Sequence, residues 1–176
     1  HRDDENKKDS FLSVLSDSSV ASVTLRRRLG LVAILLLAFG LRIVALDDAP
    51  QWLRYDENLS HLMAERVLDG VRPIYFGESW WREALHFYVM AGSLALFGQS
   101  DWTLRLPSPF FGLFGVLGAW LVARRLFGRR VGWLTAVLMA VSFWAIFYAR
   151  IGSRVGTTTA FLSFSLLAVW VSVDEK

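Results

Sequence analysis

"LGLVAILLLAFGLRIVAL", residues Leu29–Leu46, holds one charge, Arg42, in eighteen positions. As an α-helix rising 1.5 Å per residue it reaches about 27 Å, close to the thickness of a bilayer's hydrocarbon core. Arg26, Arg27 and Arg28 precede it, and Asp47 and Asp48 follow. The stretch reads as a membrane-spanning helix. It is long for the apolar part of a secretory signal, and Asp47-Asp48-Ala49-Pro50 stands where a small-residue cleavage site belongs.

Outward from this stretch the same pattern recurs. The chain is 54% hydrophobic, with its apolar residues gathered in blocks rather than spread at a globular period. Residues 105–127, 132–149 and 156–173 are further blocks of spanning length. Leu85–Gly98 is shorter, and segments of its size are interfacial, re-entrant or buried. The expected architecture is an all-α integral membrane protein with four spanning helices: 29–46, 105–127, 132–149 and 156–173. Residues 1–28 are polar, serine-rich and mixed in charge, and are expected to form a disordered cytoplasmic tail. The net charge of +3 comes from arginines clustered at block borders, which is a topology signal and argues against nucleic-acid binding. The absence of cysteine excludes a disulfide framework or thiolate metal site within the chain. "GLFGVLG", Gly112–Gly118, lies inside an apolar block and reads as a surface for close helix packing rather than a phosphate loop.

Positive charge sets the expected sidedness. Arg26–Arg28 hold the N-terminus in the cytoplasm, so the first helix emerges on the outer side. "ARRLFGRR", Ala123–Arg130, has four arginines and no acid in a short loop and is also cytoplasmic. One crossing must lie between the two, which leaves residues 47–104 as one large outer loop, with nine acids and four arginines. The third helix then returns Arg150 and Arg154 to the outer face. The chain stops at residues 174–176 just after the fourth, which reads as the end of a fragment.

Within the outer loop, Asp56 and Glu57 open a segment with apolar residues at Leu59, Leu62, Met63, Val67 and Leu68, and with Glu57, His61 and Glu65 four apart on another face. This pattern predicts an amphipathic helix along the membrane surface, with Asp56 as its N-cap and Gly70 and Pro73 as its stop. Capping accounts for Asp56 but not for Glu57. Paired carboxylates beside an apolar groove can take a proton from an acceptor hydroxyl or amine. Trp80, Trp81, Phe87 and Tyr88 suit an interfacial aromatic belt. Glu83 and His86, three apart, are candidates for a substrate cleft together with His61, and they lack a third partner at metal-ligand spacing. Arg105, Arg150 and Arg154 sit at outer helix ends, where snorkelling accounts for each. Arg150 and Arg154, four apart beside a helix starting at Gly156, also make a phosphate site from charge and free backbone N–H groups.

Taken in order, "LRIVALDDAP", "RYDE", "PIYFGESWWREALHFYVMAGSLALFGQSDWTLRLPS", "ARRLFGRR" and "FYARIGSR" resemble the N-terminal part of a GT-C glycosyltransferase. The nearest group is the protein O-mannosyltransferase and aminoarabinose-transferase-like enzymes, glycosyltransferase family 39, and the resemblance covers residues 29–173. It implies a GT-C helical bundle of about a dozen spanning helices, of which this chain would carry four and half of a site. It implies transfer of a sugar from a polyprenyl-phosphate donor, outside the cell membrane, with inversion. The acceptor class stays unknown, and no cofactor is implied with certainty; a divalent ion has no ligand set to support it. Asp56 matches the catalytic carboxylate, Glu57 its supporting partner, and Arg105, Arg150 and Arg154 are candidates for the donor phosphate. Relatives often read Glu-Pro where this chain has Glu83-Ala84, and some carry a second Asp where it has "RIGSR". The competing reading is a non-enzymatic membrane scaffold or transporter fragment, with solvated acids and arginines that only orient helices.

The sidedness is testable. Cysteines introduced singly at Ser79 and Ser100, on either side of Leu85–Gly98, are expected to react with an impermeant thiol reagent from the same, outer side; labelling from opposite sides would make that segment a span.

Overall fold

The computed structural model describes residues 25–48, 55–77, 82–152 and 154–174. The chain divides into two compact units, His1–Ile34 and Leu35–Lys176. Residues 1–24 of the expected tail, and Trp80 and Trp81 of the expected aromatic belt, lie outside the described residues. The helical run 25–43, here α1, begins four residues earlier than the apolar block, so Arg26–Arg28 belong to the helix rather than to the tail. It also ends earlier, in a turn over residues 44–48. Its charge-free part is therefore 29–41, about 20 Å of helix.

Among the described residues the longest helix is α5, Pro107–Phe127, continued from the short α4, Asp101–Arg105. Ser100 caps α4, its hydroxyl accepting from the Thr103 N–H at 3.1 Å, and Pro107 occupies the first turn of α5, where its missing N–H costs nothing. Gly112, Gly115 and Gly118 recur every three residues along α5 and permit close approach. A Cβ on Gly118 would lie 2.6 Å from Ser163 Cβ on α8, Val155–Asp174, and one on Gly112 would lie 2.9 Å from Ala149 Cβ. This is the packing that "GLFGVLG" suggests. Gly128, at φ +89°, ends α5 and starts α6, Arg129–Val141, in a one-residue turn.

Among the described residues, two helices are long and apolar enough to cross a membrane, 101–127 and 155–174. A third is available if α6 and α7, Phe143–Arg150, count together. These two replace the single helix expected over 132–149: they bend by 52° at Ser142, whose backbone is extended (φ −60°, ψ 124°). Such a break leaves the last carbonyls of α6 without helical partners. Arg42 supplies them: its NH1 donates to Ala140 O at 3.0 Å and its NH2 to Met139 O at 2.9 Å, while NH1 also bonds Ala38 O at 2.8 Å. Arg150, at the end of α7, donates in return to Leu41 O and Ala45 O near the end of α1, at 3.2 and 2.7 Å. Arginines at helix C-termini satisfy orphan carbonyls and complement the helix dipole.

The described residues between α1 and α5 share a core of their own. In it, α2, Tyr55–Leu68, packs on α3, Leu85–Phe97. Met63, Ala64 and Val67 of α2 meet Phe87, Met90, Ala91 and Leu94 of α3, with Phe76 and Leu104 closing the cluster. Each fully buried large side chain contributes roughly 1.5–3 kcal/mol. Gly70, at φ +97°, ends α2: its N–H reaches Val67 O and that of Val71 reaches Arg66 O, a Schellman closure. Three expectations change here. First, α2 does not present Leu62 and Leu68 as its buried face, since both are exposed; its buried face runs through Glu57, Ser60, Met63, Ala64 and Val67. Second, α2 starts at Tyr55, so Asp56 is its second residue rather than its N-cap. Third, the chain is not purely helical: Tyr75–Phe76 (β1) and Arg82–Glu83 (β2) pair antiparallel, Tyr75 opposite Glu83. The ribbon swings Phe76 inward, edge-on to Phe87 at 5.2 Å.

Replacing Arg42 by Met keeps an apolar stem and removes every donor to the bend. Leaving the Met139 and Ala140 carbonyls unpaired is expected to cost about 2–4 kcal/mol, measured as a lower thermal midpoint in detergent micelles. An unchanged midpoint would mean the bend does not rest on Arg42.

Candidate active site

Glu57 lies on the inner face of α2 and is 2% exposed. A carboxylate so buried needs a counter-charge and full hydrogen bonding. Arg105 provides it from the end of α4: Nε donates to Glu57 Oε1 at 2.5 Å and NH2 faces Oε2 at 3.4 Å. The remaining donor, NH1, reaches Leu46 O at 2.9 Å, in the turn after α1. One guanidinium thus holds three separate segments of chain. The short α4 aims it: Ser100 fixes the start, Ser93 on α3 donates to Thr103 O at 2.8 Å, and Pro107 begins the next helix directly afterwards.

The turn between α7 and α8 lies against this pair. Gly152 has φ +60°, a conformation that suits glycine, and a Cβ there would sit 3.5 Å from Glu57 Oε1 and 3.9 Å from Arg105 Cα. His86, fully buried in the first turn of α3, holds the same turn from the other side. Its Nε2 lies 3.0 Å from Gly152 O and its Nδ1 3.0 Å from Thr157 Oγ1. A carbonyl only accepts, so Nε2 carries the proton in that bond. At the rim, Arg154 NH1 donates to Glu83 Oε2 at 2.7 Å, with both side chains partly exposed.

The structure therefore gathers Glu57, Arg105, His86, Glu83 and Arg154 around one turn. It engages His61 elsewhere, 3.6 Å from Glu65 one helical turn on, and commits Arg150 to the carbonyls of α1. Glu83 bonds Arg154 and His86 bonds Gly152 and Thr157. Asp56 stands beside Glu57 in the first turn of α2, and its side chain lies outside what the structure describes. Among the described residues, no group of three His, Asp or Glu is placed to hold a metal. Gly152 and Thr157 escape a sequence reading centred on charge; a glycine between two helices, two residues from an arginine on either side, is the signal that marks the turn.

Residues 84–174, just over half of the chain, match the family described as dolichyl-phosphate-mannose-protein mannosyltransferase, and the chain belongs to that family. The match runs from the start of α3 through α8; Asp56 and Glu57 precede it. Over a longer range the chain is similar to undecaprenyl phosphate-alpha-4-amino-4-deoxy-L-arabinose arabinosyl transferase of Pseudomonas aeruginosa, 27% identical over 152 residues, 82% of this chain and 27% of that protein. It is also similar to the second such transferase of Pseudomonas fluorescens, 25% identical over 164 residues, 89% of this chain and 28% of that protein. The chain thus spans about a quarter of the length of these curated relatives. No solved structure gives a significant match.

The buried pair makes a sharp expectation. Arg105→Met strips Glu57 of its counter-charge and should cost about 3–5 kcal/mol, whereas Arg105→Met combined with Glu57→Leu should recover most of that loss. Thermal or denaturant unfolding of the single and double variants checks it; strictly additive losses would show that the pair does not act as a unit.

Proposed function

We propose that this chain is part of a membrane glycosyltransferase that moves a sugar from a polyprenyl-phosphate-linked donor to an acceptor on the outer face of the cell membrane. The observation that carries the reading is the Glu57–Arg105 pair, buried directly after Asp56 and covered by the turn that leads to Arg154. Family membership and the printed activity of the Pseudomonas relatives support it. A scaffold with solvated acids accounts for Arg42 and Arg150 as caps of helix ends, but gives no reason for Glu57 to be buried at an arginine.

In this proposal α1, the run α4–α5, the bent pair α6–α7 and α8 are the four crossings of a GT-C bundle, with the N-terminus cytoplasmic and loop 47–104 outside. Asp56 is the general base. It takes the proton of the acceptor nucleophile as that group attacks the anomeric carbon, and the bond from that carbon to the phosphate oxygen breaks. The electron pair leaves with the lipid phosphate, and the configuration inverts. Positive charge near the departing oxygen stabilises it. Arg154 fits that task best, because its ion pair with Glu83 is exposed and exchangeable. Arg105 and Arg150 are engaged with Glu57, Leu46 and the end of α1, and act through position.

Asp56→Asn in the full-length protein tests the base. Asn cannot accept the proton, and losing a general base costs on the order of 10² to 10⁴ in rate, while insertion and thermal stability should stay near the parental values. Glu57→Gln should show the opposite balance, losing less activity and more stability. Sugar transfer by Asp56→Asn at the parental rate would remove Asp56 from the mechanism.

A further inference from the structure

We infer that His86 and Thr157 are positioning residues for the lipid-phosphate side of the site: through the turn at Gly152 they fix where Arg154 stands relative to Glu57. The inference rests on the glycosyltransferase reading and extends it to residues beyond the proposed base and the donor-phosphate arginines.

Three observations converge on it. His86 is a fully buried polar side chain in a largely apolar helix, and its two ring nitrogens bond one carbonyl and one hydroxyl of the same short segment, both at 3.0 Å. That segment, from Gly152 to the first turn of α8, packs on Glu57 through Gly152 and on α5 through Gly156, where a Cβ would lie 3.7 Å from Gly112 N and Ser108 O. Between the two anchored points lies Arg154, whose guanidinium reaches outward to Glu83. A free turn two residues from a glycine at positive φ has many conformations to lose on ordering. The imidazole removes that freedom in advance. Because Nε2 must donate to Gly152 O, the ring orientation is fixed. Its Nδ1 then meets the Thr157 hydroxyl, a group that can give or take a proton. The clamp therefore joins α3 to the start of α8, and the spacing between Glu57 and the cation at the rim follows from it. Pre-organisation of this kind acts on ligand affinity by lowering the ordering cost of binding.

The test measures binding without turnover. Farnesyl phosphate is titrated into the full-length protein in phosphatidylcholine nanodiscs, with thermal stability recorded in parallel. His86→Leu, which keeps bulk and removes both bonds, and Thr157→Val, which removes one, are each expected to weaken binding about tenfold, the scale set by one buried hydrogen bond. Thr157→Ser keeps the hydroxyl and should bind within about twofold of the parent. If the parent binds and His86→Leu and Thr157→Val bind as tightly, with only their thermal midpoints lowered, His86 is a core residue and the inference falls while the enzymatic reading stands. If His86→Leu does not fold, the Val and Ser variants at position 157 decide: equal affinities overturn the clamp. A parent that binds no farnesyl phosphate overturns the donor reading and the inference together.

Discussion

Arg105 is the point on which the second unit depends. Its guanidinium spends its donors on the Glu57 carboxylate and the Leu46 carbonyl, tying the turn after α1, the first turn of α2 and the end of α4. All three meet where water is excluded: Arg105 and Leu46 are each 1% exposed, and Glu57 2%. A charge in such a place tolerates few arrangements, because any that separates it from its acceptors leaves it unsolvated. An apolar contact at the same position would permit sliding. The planar fork of arginine does not.

The other arginines follow a related rule. In a chain with this much apolar surface, a broken helix end is the expensive feature, because its buried carbonyls must find partners within the protein. Arg42 covers the end of α6, 98 residues away in sequence, and Arg150 covers the end of α1 from the far side of the same bend. The two arginines are reciprocal: each helix end is closed by a cation carried on the other element. That arrangement lets α7 depart by 52° from α6 without stranding its backbone.

How much of this was legible depended on whether the cause was local. Blocks 105–127 and 156–173 became helices over nearly those bounds, since an uninterrupted apolar run with Pro107 at its head and Gly128 at its end contains its own instructions. The short length of Leu85–Phe97 and the stop at Gly70 were local in the same sense. The break at Ser142 was not: no proline or glycine marks it, and its stabilising donor is on another helix. The face of α2 misled for the same reason. Glu57 reads as a polar-face residue by periodicity, and only a partner 48 residues on turns it inward. Of the candidate site residues, sequence identified Glu57, Arg105, Glu83, His86 and Arg154 by type but grouped them by spacing along the chain, Glu83 with His86 and Arg150 with Arg154, where the structure joins Glu57 to Arg105 and Glu83 to Arg154. Gly152 and Thr157 carry no charge to notice, although they are the backbone and hydroxyl to which His86 is attached.

A buried ion pair is weak evidence for stability, since well-packed apolar residues of similar volume often serve as well or better. Its presence beside Asp56 therefore needs another reason, and geometry offers one. Each bond around the turn at Gly152 has direction: a fork onto a carboxylate, a ring nitrogen onto a carbonyl, a guanidinium onto the carboxylate at the rim. Directional bonds fix angles that apolar packing leaves loose, and proton transfer and anion stabilisation are both steep functions of angle and distance. In the proposed mechanism these polar contacts serve precision of placement, while farther along α5 and α8 the close glycine contacts are joined at the helix ends by the exposed Arg125–Asp174 ion pair.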